Sequence, residues 1–430
     1  MDIREVITTE YLIIGNSAGA IGAVEGIRAV DNTNRIVMVS DEPHLAYSRP
    51  LISKYLAGER GMEEILFRPA NFYDNNRIDF LPGVKAEFLD VTNRVAQLAD
   101  GRKIEWRKLL LATGGIPIVP KLKGSDKEGV FTFLTIADAG AVDKYIEKGQ
   151  RAVVIGGGLI GISVAEALTK RGLEVVVVEM KDRILNTILD EEGSAIAEEA
   201  YAQAGVKFAT GRTVQEIIGA EKTVGVILDN GTEIACNLVI IAVGVRPRIE
   251  LALKAGIKVD HGILVDQFMA TSHPDVYAAG DVAEAYDFIY RANRLTPIWP
   301  NAYFGGRVAG LNMAGLKTEY TGGTAMNSLN YFGLDIATAG AVTPPSDQDC
   351  EAISQRSDGT YKKVILSDNR IIGMVFVGDI ERAGVVLGLM RDEVDVANLK
   401  EVLLADDFGL AYLPTELRRR RLGNASVVSK

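Results

Sequence analysis

At 430 residues the chain exceeds what one ordinary core organises and has apolar area for two or three domains. Its 47 basic against 57 acidic residues leave a net charge of −10, which argues against nucleic acid or an anionic membrane surface as the main partner. The two cysteines, Cys236 and Cys350, lack CxxC spacing and offer no iron–sulfur cluster, cysteine zinc site or disulfide framework. The opening MDIREVITTEY is charged and has no apolar core, unlike a secretory signal. No apolar run approaches the roughly 20 residues that span a bilayer, so a cytoplasmic protein without a membrane span is expected.

In chain order, the first organised stretch is YLIIGNSAGAIGAVEGIRAVDNTNRIVMVSDE, residues 11–42. An apolar strand breaks at Gly15 into the small residues Ser17, Ala18, Gly19 and Ala20, a helix follows, and a second strand ends near an acid, either Asp41 or Glu42. This is the order of a dinucleotide-binding unit with small residues where a backbone must approach phosphate, although only the first glycine of G-x-G-x-x-G is kept. Farther along, LLLATGG (109–115) is an apolar strand that ends in glycine.

Residues 151–182, RAVVIGGGLIGISVAEALTKRGLEVVVVEMKD, repeat the pattern more strictly. AVVI reads as a strand buried on both faces. Gly156, Gly158 and Gly161 then supply a tight turn, close approach to a pyrophosphate, and close helix packing. A helix stops at Gly172, and a second strand ends in Glu179. That carboxylate would accept from a ribose 2′-hydroxyl and repel a 2′-phosphate, favouring NADH over NADPH, with Lys181 and Arg183 close by.

Two further strands end in glycine, IIAVGVRP (240–247, with Gly244) and TSHPDVYAAGDVAEA (271–285). Because glycine-ended strands lie on both sides of the second fingerprint, the simplest account is an N-terminal domain interrupted by an inserted copy of itself. Cys236, just before a strand, reads as a small buried hydrophobe. His44, His261 and His273 are scattered through loop-like stretches and no metal site is expected from them. Beyond about Glu319 the glycine turns thin out, and NSLNYFGLDIATAG, YKKVILSD and RIIGMVFVGD read as short strands, with NR as a hairpin connection. RAGVVLGLMRDEVDVANLKEVL reads as a helix and its continuation, and the RRRR at 418–421 as a solvated tail, with docking to an acidic carrier the alternative.

Together these motifs resemble the FAD-dependent pyridine nucleotide–disulfide oxidoreductase superfamily, and more closely its branch of ferredoxin and rubredoxin reductases and the flavin portion of assimilatory nitrite reductases. The likeness runs from about residue 10 to 410. It implies an α/β fold of two Rossmann-like domains, a split FAD domain with an inserted NAD domain, plus a small C-terminal α/β interface domain. The implied boundaries are 1–117 and 246–318 for FAD, 118–245 for NAD, 319–411 for the interface domain and 412–430 for a basic tail.

Residue by residue, the resemblance matches Gly15 and its small neighbours to the FAD pyrophosphate turn, Ala112, Thr113 and Gly114 to the "ATG" strand, and Gly280 and Asp281 to a "GD" motif whose aspartate binds a ribityl hydroxyl. YSRPLISK resembles "YxRPxLSK", in which Arg49 and Pro50 lie along the cofactor and Lys54 approaches the flavin. A cation near N5 and O4 would make the ring a better hydride acceptor. The helix in residues 296–315 would aim its positive end at the pyrimidine, with Trp299 a candidate ring neighbour or core aromatic.

Two departures stand out. Pro50 aligns with the reactive cysteine of the cysteine-bearing relatives, which argues against disulfide, persulfide or peroxide reduction. Ser163 stands where relatives usually place a glutamate beside the nicotinamide. The implied function is a flavoprotein oxidoreductase: hydride passes between NADH and FAD, and electron transfer follows to an iron–sulfur protein or cluster-bearing subunit, in a homodimer or hetero-oligomer. The alternatives are an NADH oxidase that uses oxygen directly and a redox-sensing flavoprotein scaffold.

Overall fold

The computed structural model describes residues 6–147, 150–344, 349–416 and 418–419. Two compact units are present, one formed by residues up to 178 with 212–325, the other by 179–211 with the chain from 326 onward.

The first unit opens with strand β1 (Val6–Ile14), helix α1 (Ala18–Arg28) and strand β2 (Ile36–Val39). A short helix, α2 (Ile52–Leu56), precedes strands β3 (Ile78–Leu81), β4 (Ala86–Asp90), β5 (Val95–Leu98) and β6 (Lys103–Leu111). The strands form one sheet in the order β3-β2-β1-β6-β5-β4, with β3, β2, β1 and β6 parallel. Ile13, Leu109 and Leu110 are fully buried, as expected of a parallel sheet covered on both faces.

The chain then leaves this sheet and builds a second one. Strands β7 (Val130–Thr132), β8 (Arg151–Ile155), β9 (Glu174–Glu179) and β10 (Leu238–Ile241) pair in parallel, β9 with β8, β8 with β10, and β10 with β7. Helix α3 (Leu159–Lys170) connects β8 to β9. Afterwards the chain returns: strand β11 (Val276–Ala278) pairs with Leu109–Leu111 of β6, and helix α4 (Trp299–Met313) packs on α1. The sequence pattern of an interrupted domain is therefore a strand topology in the folded chain.

In the second unit, β12 (Met326–Tyr331), β13 (Leu334–Gly340), β14 (Glu351–Ser357), β15 (Thr360–Ser367) and β16 (Arg370–Val377) form an antiparallel sheet in the order β12-β13-β16-β15-β14. The β15–β16 connection is Asp368–Asn369, one residue earlier than the expected NR. Both residues have positive φ, 48° and 56°, as a two-residue primed turn requires, and Ser367 pairs with Arg370. Helix α5 (Ala383–Arg391) does not continue as expected. Glu393 takes a positive φ of 50°, and the Val394 amide donates back to the Leu389 carbonyl at 3.1 Å, a Schellman-type stop. The proposed tail, 412–430, falls largely outside the described residues. No helix among the described residues is long and apolar enough to cross a membrane.

Candidate functional site

Both glycine turns have the same backbone wiring. The Gly15 amide donates to Val39 at the end of β2, and the Ala112 amide to Ile14, each at 2.8 Å. In the inserted copy the Gly156 amide donates to Val178 and the Ala242 amide to Ile155, again at 2.8 Å. Gly15 and Gly156 have positive φ, 126° and 110°, and a Cβ on either would lie 2.1 or 2.4 Å from the carbonyl oxygen of Ala112 or Ala242. Only glycine fits, so the strict fingerprint and the relaxed one fold into one turn. Ser17 and Gly158 are the N-caps of α1 and α3, and neither receives a side-chain capping bond. The first amides of both helices are thus oriented for an anion.

Helices α1 and α4 cross on glycine. A Cβ on Gly306 would lie 1.9 Å from the Gly19 carbonyl oxygen, one on Gly310 2.1 Å from that of Ala23, and one on Gly22 2.2 Å from that of Tyr303. Within each row of contacts the numbers advance together by four, Gly19–Gly306 to Ala23–Gly310 and Gly22–Tyr303 to Gly26–Arg307, so the helices run in the same direction and both N-termini open at one end. Two positive helix ends side by side suit a ligand with a pyrophosphate and an anionic ring. Gly280, with φ +81°, turns the chain into Asp281. Asp281 is half-buried, no hydrogen bond from the described residues reaches its carboxylate, and burial raises its carboxyl above the ordinary range, with Arg49 opposing. An acceptor held in this state fits the polyol of FAD.

Asn16 and Tyr73, which sequence reasoning missed, tie the first turn to its flanking loop. Asn16 Nδ2 donates to the His44 carbonyl at 3.0 Å, the Tyr73 hydroxyl donates to Asn16 Oδ1 at 2.7 Å, and the same hydroxyl accepts from the Ala46 amide at 2.9 Å. Only the strand, glycine and acid positions carried a pattern; a lone Asn and a distant Tyr do not.

Residues 47–54 begin beside the two candidate acids. Glu42 accepts from the Tyr47 hydroxyl at 2.6 Å and pairs with Arg49, while Asp41 pairs with Arg248 at 2.6 Å, so each acid is already engaged. Arg49 also donates to the Leu134 carbonyl at 3.1 Å. Pro50 lies in the single 3₁₀ turn Arg49–Leu51, and Lys54 follows on α2, within 3.2 Å of Glu166 on α3. Trp299 begins α4 and meets Phe67 edge-on at 4.9 Å, inside a cluster with Tyr303. Thr113 donates to the Arg248 carbonyl at 3.0 Å, Gly114 has φ +66°, and Gly244 has φ +137°.

Glu179 ends β9 and is buried; its Oε1 accepts from the Lys181 amide at 2.8 Å. Ser163 donates to the Ile160 carbonyl of its own helix at 2.9 Å. Cys236 is buried, which pushes its thiol up to about 12 and suppresses thiolate. Native protein is therefore expected to leave Cys236 unalkylated by iodoacetamide at pH 8. Cys236→Ser is expected to keep the rate of NADH-driven flavin reduction within about twofold; a tenfold loss in stopped flow would return sulfur to the chemistry.

Comparison with known proteins agrees with this arrangement. Residues 9–305 match the family described as pyridine nucleotide-disulphide oxidoreductase, and residues 326–394 match the rubredoxin NAD+ reductase C-terminal domain. The chain is 31% identical over 406 residues to the NADH-dependent phenylglyoxylate dehydrogenase subunit epsilon of Aromatoleum evansii, covering 94% of this chain and 96% of that one. It is 27% identical over 377 residues to the NADH-rubredoxin oxidoreductase of Clostridium acetobutylicum, covering 87% and 92%. Among solved structures it is similar to the reductase in the covalent putidaredoxin reductase–putidaredoxin complex, with a TM-score of 0.83 at 25% identity over 90% of this chain and 94% of that one. With its paired dinucleotide turns and glycine-crossed helices, the chain belongs to the pyridine nucleotide-disulphide oxidoreductase family, and its cofactors are FAD and NAD(H).

Proposed function

We propose that this FAD-dependent NADH oxidoreductase exchanges electrons with a one-electron iron–sulfur carrier or a cluster-bearing subunit, as a cytoplasmic homodimer or hetero-oligomer. The observation that carries the reading is Pro50, in the segment that leads to Lys54, where cysteine-bearing relatives keep a thiol; with Cys236 buried as well, the route needs no sulfur. Bound FAD supplies two-electron acceptance and one-electron release. The names of the relatives, a rubredoxin oxidoreductase and a reductase joined to putidaredoxin, support a carrier of that class.

In this reading residues 1–117 and 246–318 hold FAD, 118–245 hold NAD, and 319–411 form the interface domain. Gly15 and the α1 amides bind the pyrophosphate, Asp281 takes a ribityl hydroxyl, Trp299 flanks the ring, and Lys54 presents a cation toward N5 and O4. Gly156, Gly158 and Gly161 seat the second pyrophosphate, and Glu179 selects NADH by accepting from its ribose hydroxyls. Hydride transfer asks for proximity and orientation more than for a general acid.

Anaerobic stopped flow tests the proposal. NADH is expected to bleach the flavin within seconds, and a ferredoxin or a rubredoxin to reoxidise it far faster than oxygen does. Rapid turnover on oxygen with no response to either carrier would instead make the protein an NADH oxidase. Bleaching slower than minutes would leave a redox-sensing scaffold.

A further inference from the structure

Four charged side chains, Lys54 on α2, Glu59 in the bend just past it, and Glu166 and Lys170 on α3, form a closed ring. Lys54 Nζ lies 3.2 Å from Glu166 Oε2 and 3.4 Å from Glu59, while Lys170 Nζ lies 2.9 Å from Glu166 Oε1 and 2.6 Å from the same Glu59. Glu166 is the buried member, its side chain 3% exposed. A carboxylate so deep is tolerable only when paired, and here each oxygen faces one ammonium. The other three members lie nearer solvent. Glu59 is held ionised by Lys170, and Lys170 is held protonated against its own burial by Glu59 and Glu166.

The ring matters because α2 cannot place Lys54 unaided. It has five residues and no side-chain cap, well below the length at which a helix holds itself in water. Its geometry is set from outside, and α3 supplies the contacts at both ends of its last turn. Glu166 grips Lys54, and Arg171, just past α3, donates to the carbonyl of Leu56, the last residue of α2, at 2.8 Å. Ser163, one turn earlier on α3, spends its hydroxyl on its own helix and leaves Lys54 to Glu166.

We infer that Glu166 is a positioning residue: through the ring with Lys170 and Glu59 it fixes the Lys54 ammonium, so that α3, the helix of the inserted unit, determines where the flavin-side cation stands. The inference rests on the proposed place of Lys54 beside the flavin.

The test is a double-mutant cycle on the flavin-loaded protein, read by anaerobic stopped flow and by the visible absorption bands of the oxidised flavin. Glu166→Gln is expected to lower the limiting rate of flavin reduction by about 10- to 100-fold, as a misplaced group does, with half-saturating NADH changed by no more than about twofold. It is also expected to shift the flavin bands in the direction that Lys54→Met shifts them. In the Lys54→Met background, Glu166→Gln is expected to change neither readout further. Glu59→Gln, which alters only a partly exposed member, serves if Glu166→Gln does not fold; its smaller loss of rate should likewise vanish when Lys54 is Met. A Glu166→Gln or Glu59→Gln effect that persists undiminished without Lys54, or a Glu166→Gln protein with normal rate and bands, would overturn the inference. If NADH fails to bleach even the unaltered protein, the proposed function falls; the absorption bands still report whether Glu166 acts through Lys54.

Discussion

Gly306→Ala is expected to lower stability by about 3 kcal/mol or more and to yield little flavin-loaded protein, although it adds one methyl group to a helix. Its Cβ would sit 1.9 Å from the carbonyl oxygen of Gly19, and relief requires moving α1 away from α4. That movement breaks the neighbouring contacts at Gly22 and Gly310, whose own Cβ positions are equally blocked by backbone. It also separates the two helix N-termini, where the proposed function places the FAD. The adjacent substitution is the control. A Cβ on Gly305 meets only the end of the Met269 side chain, its terminal methyl at 3.1 Å and its sulfur at 3.9 Å, which can swing aside. Gly305→Ala should gain up to about 1 kcal/mol of helix propensity against a small repacking cost. Urea denaturation and bound flavin per chain, measured on both variants, check the pair; comparable losses would mean that the helix crossing is not the constraint.

Asp281→Asn is expected to move two quantities in opposite directions. Without ligand, burial holds the native carboxyl above its unfolded value, with Arg49 opposing. Between those two values the unfolded chain binds fewer protons than the native one, so stability falls as pH rises through the window, and the penalty is complete above it. Apo Asp281→Asn, which carries no such charge, should melt higher than the unaltered apo protein at pH 7, and the gap should close as pH falls toward about 4. Flavin binding should weaken by about tenfold, because charge-assisted hydrogen bonds are roughly twice as strong as neutral ones. Melting curves at several pH values and flavin titration read the two effects separately. An apo protein destabilised at pH 7 would show that Asp281 serves the scaffold.

The parts of this molecule legible in its sequence are those in which one residue type satisfies a backbone requirement. Gly156 and Gly161 could be read because turn, approach and packing leave no alternative, and Gly15 because its strand and helix surround it in the same order. Glu166 could not be read that way. Its role depends on which side chain of a distant segment faces it across two packed helices, and spacing along α3 does not encode that. The same holds for Asn16 with Tyr73, joined across the unit by a single hydroxyl. The end of α5 at Arg391 escaped the pattern because Glu393, a residue seldom found with positive φ, makes the stop that glycine usually makes.

The return of the chain to its first sheet sets an order on biosynthesis. Strand β6 ends at Leu111, yet its neighbour β11 begins at Val276, and every residue of the second parallel sheet leaves the ribosome in between. Contacts that close over so long a loop form late, whereas β8, α3 and β9 are local and can assemble early. The nascent N-terminal segment therefore waits with one edge of β6 uncovered, and α4, which packs on α1, is made later still. If FAD sits as proposed between α1 and α4, its uptake is accordingly a near-terminal event in maturation, and a chain truncated anywhere before Met313 is expected not to retain it.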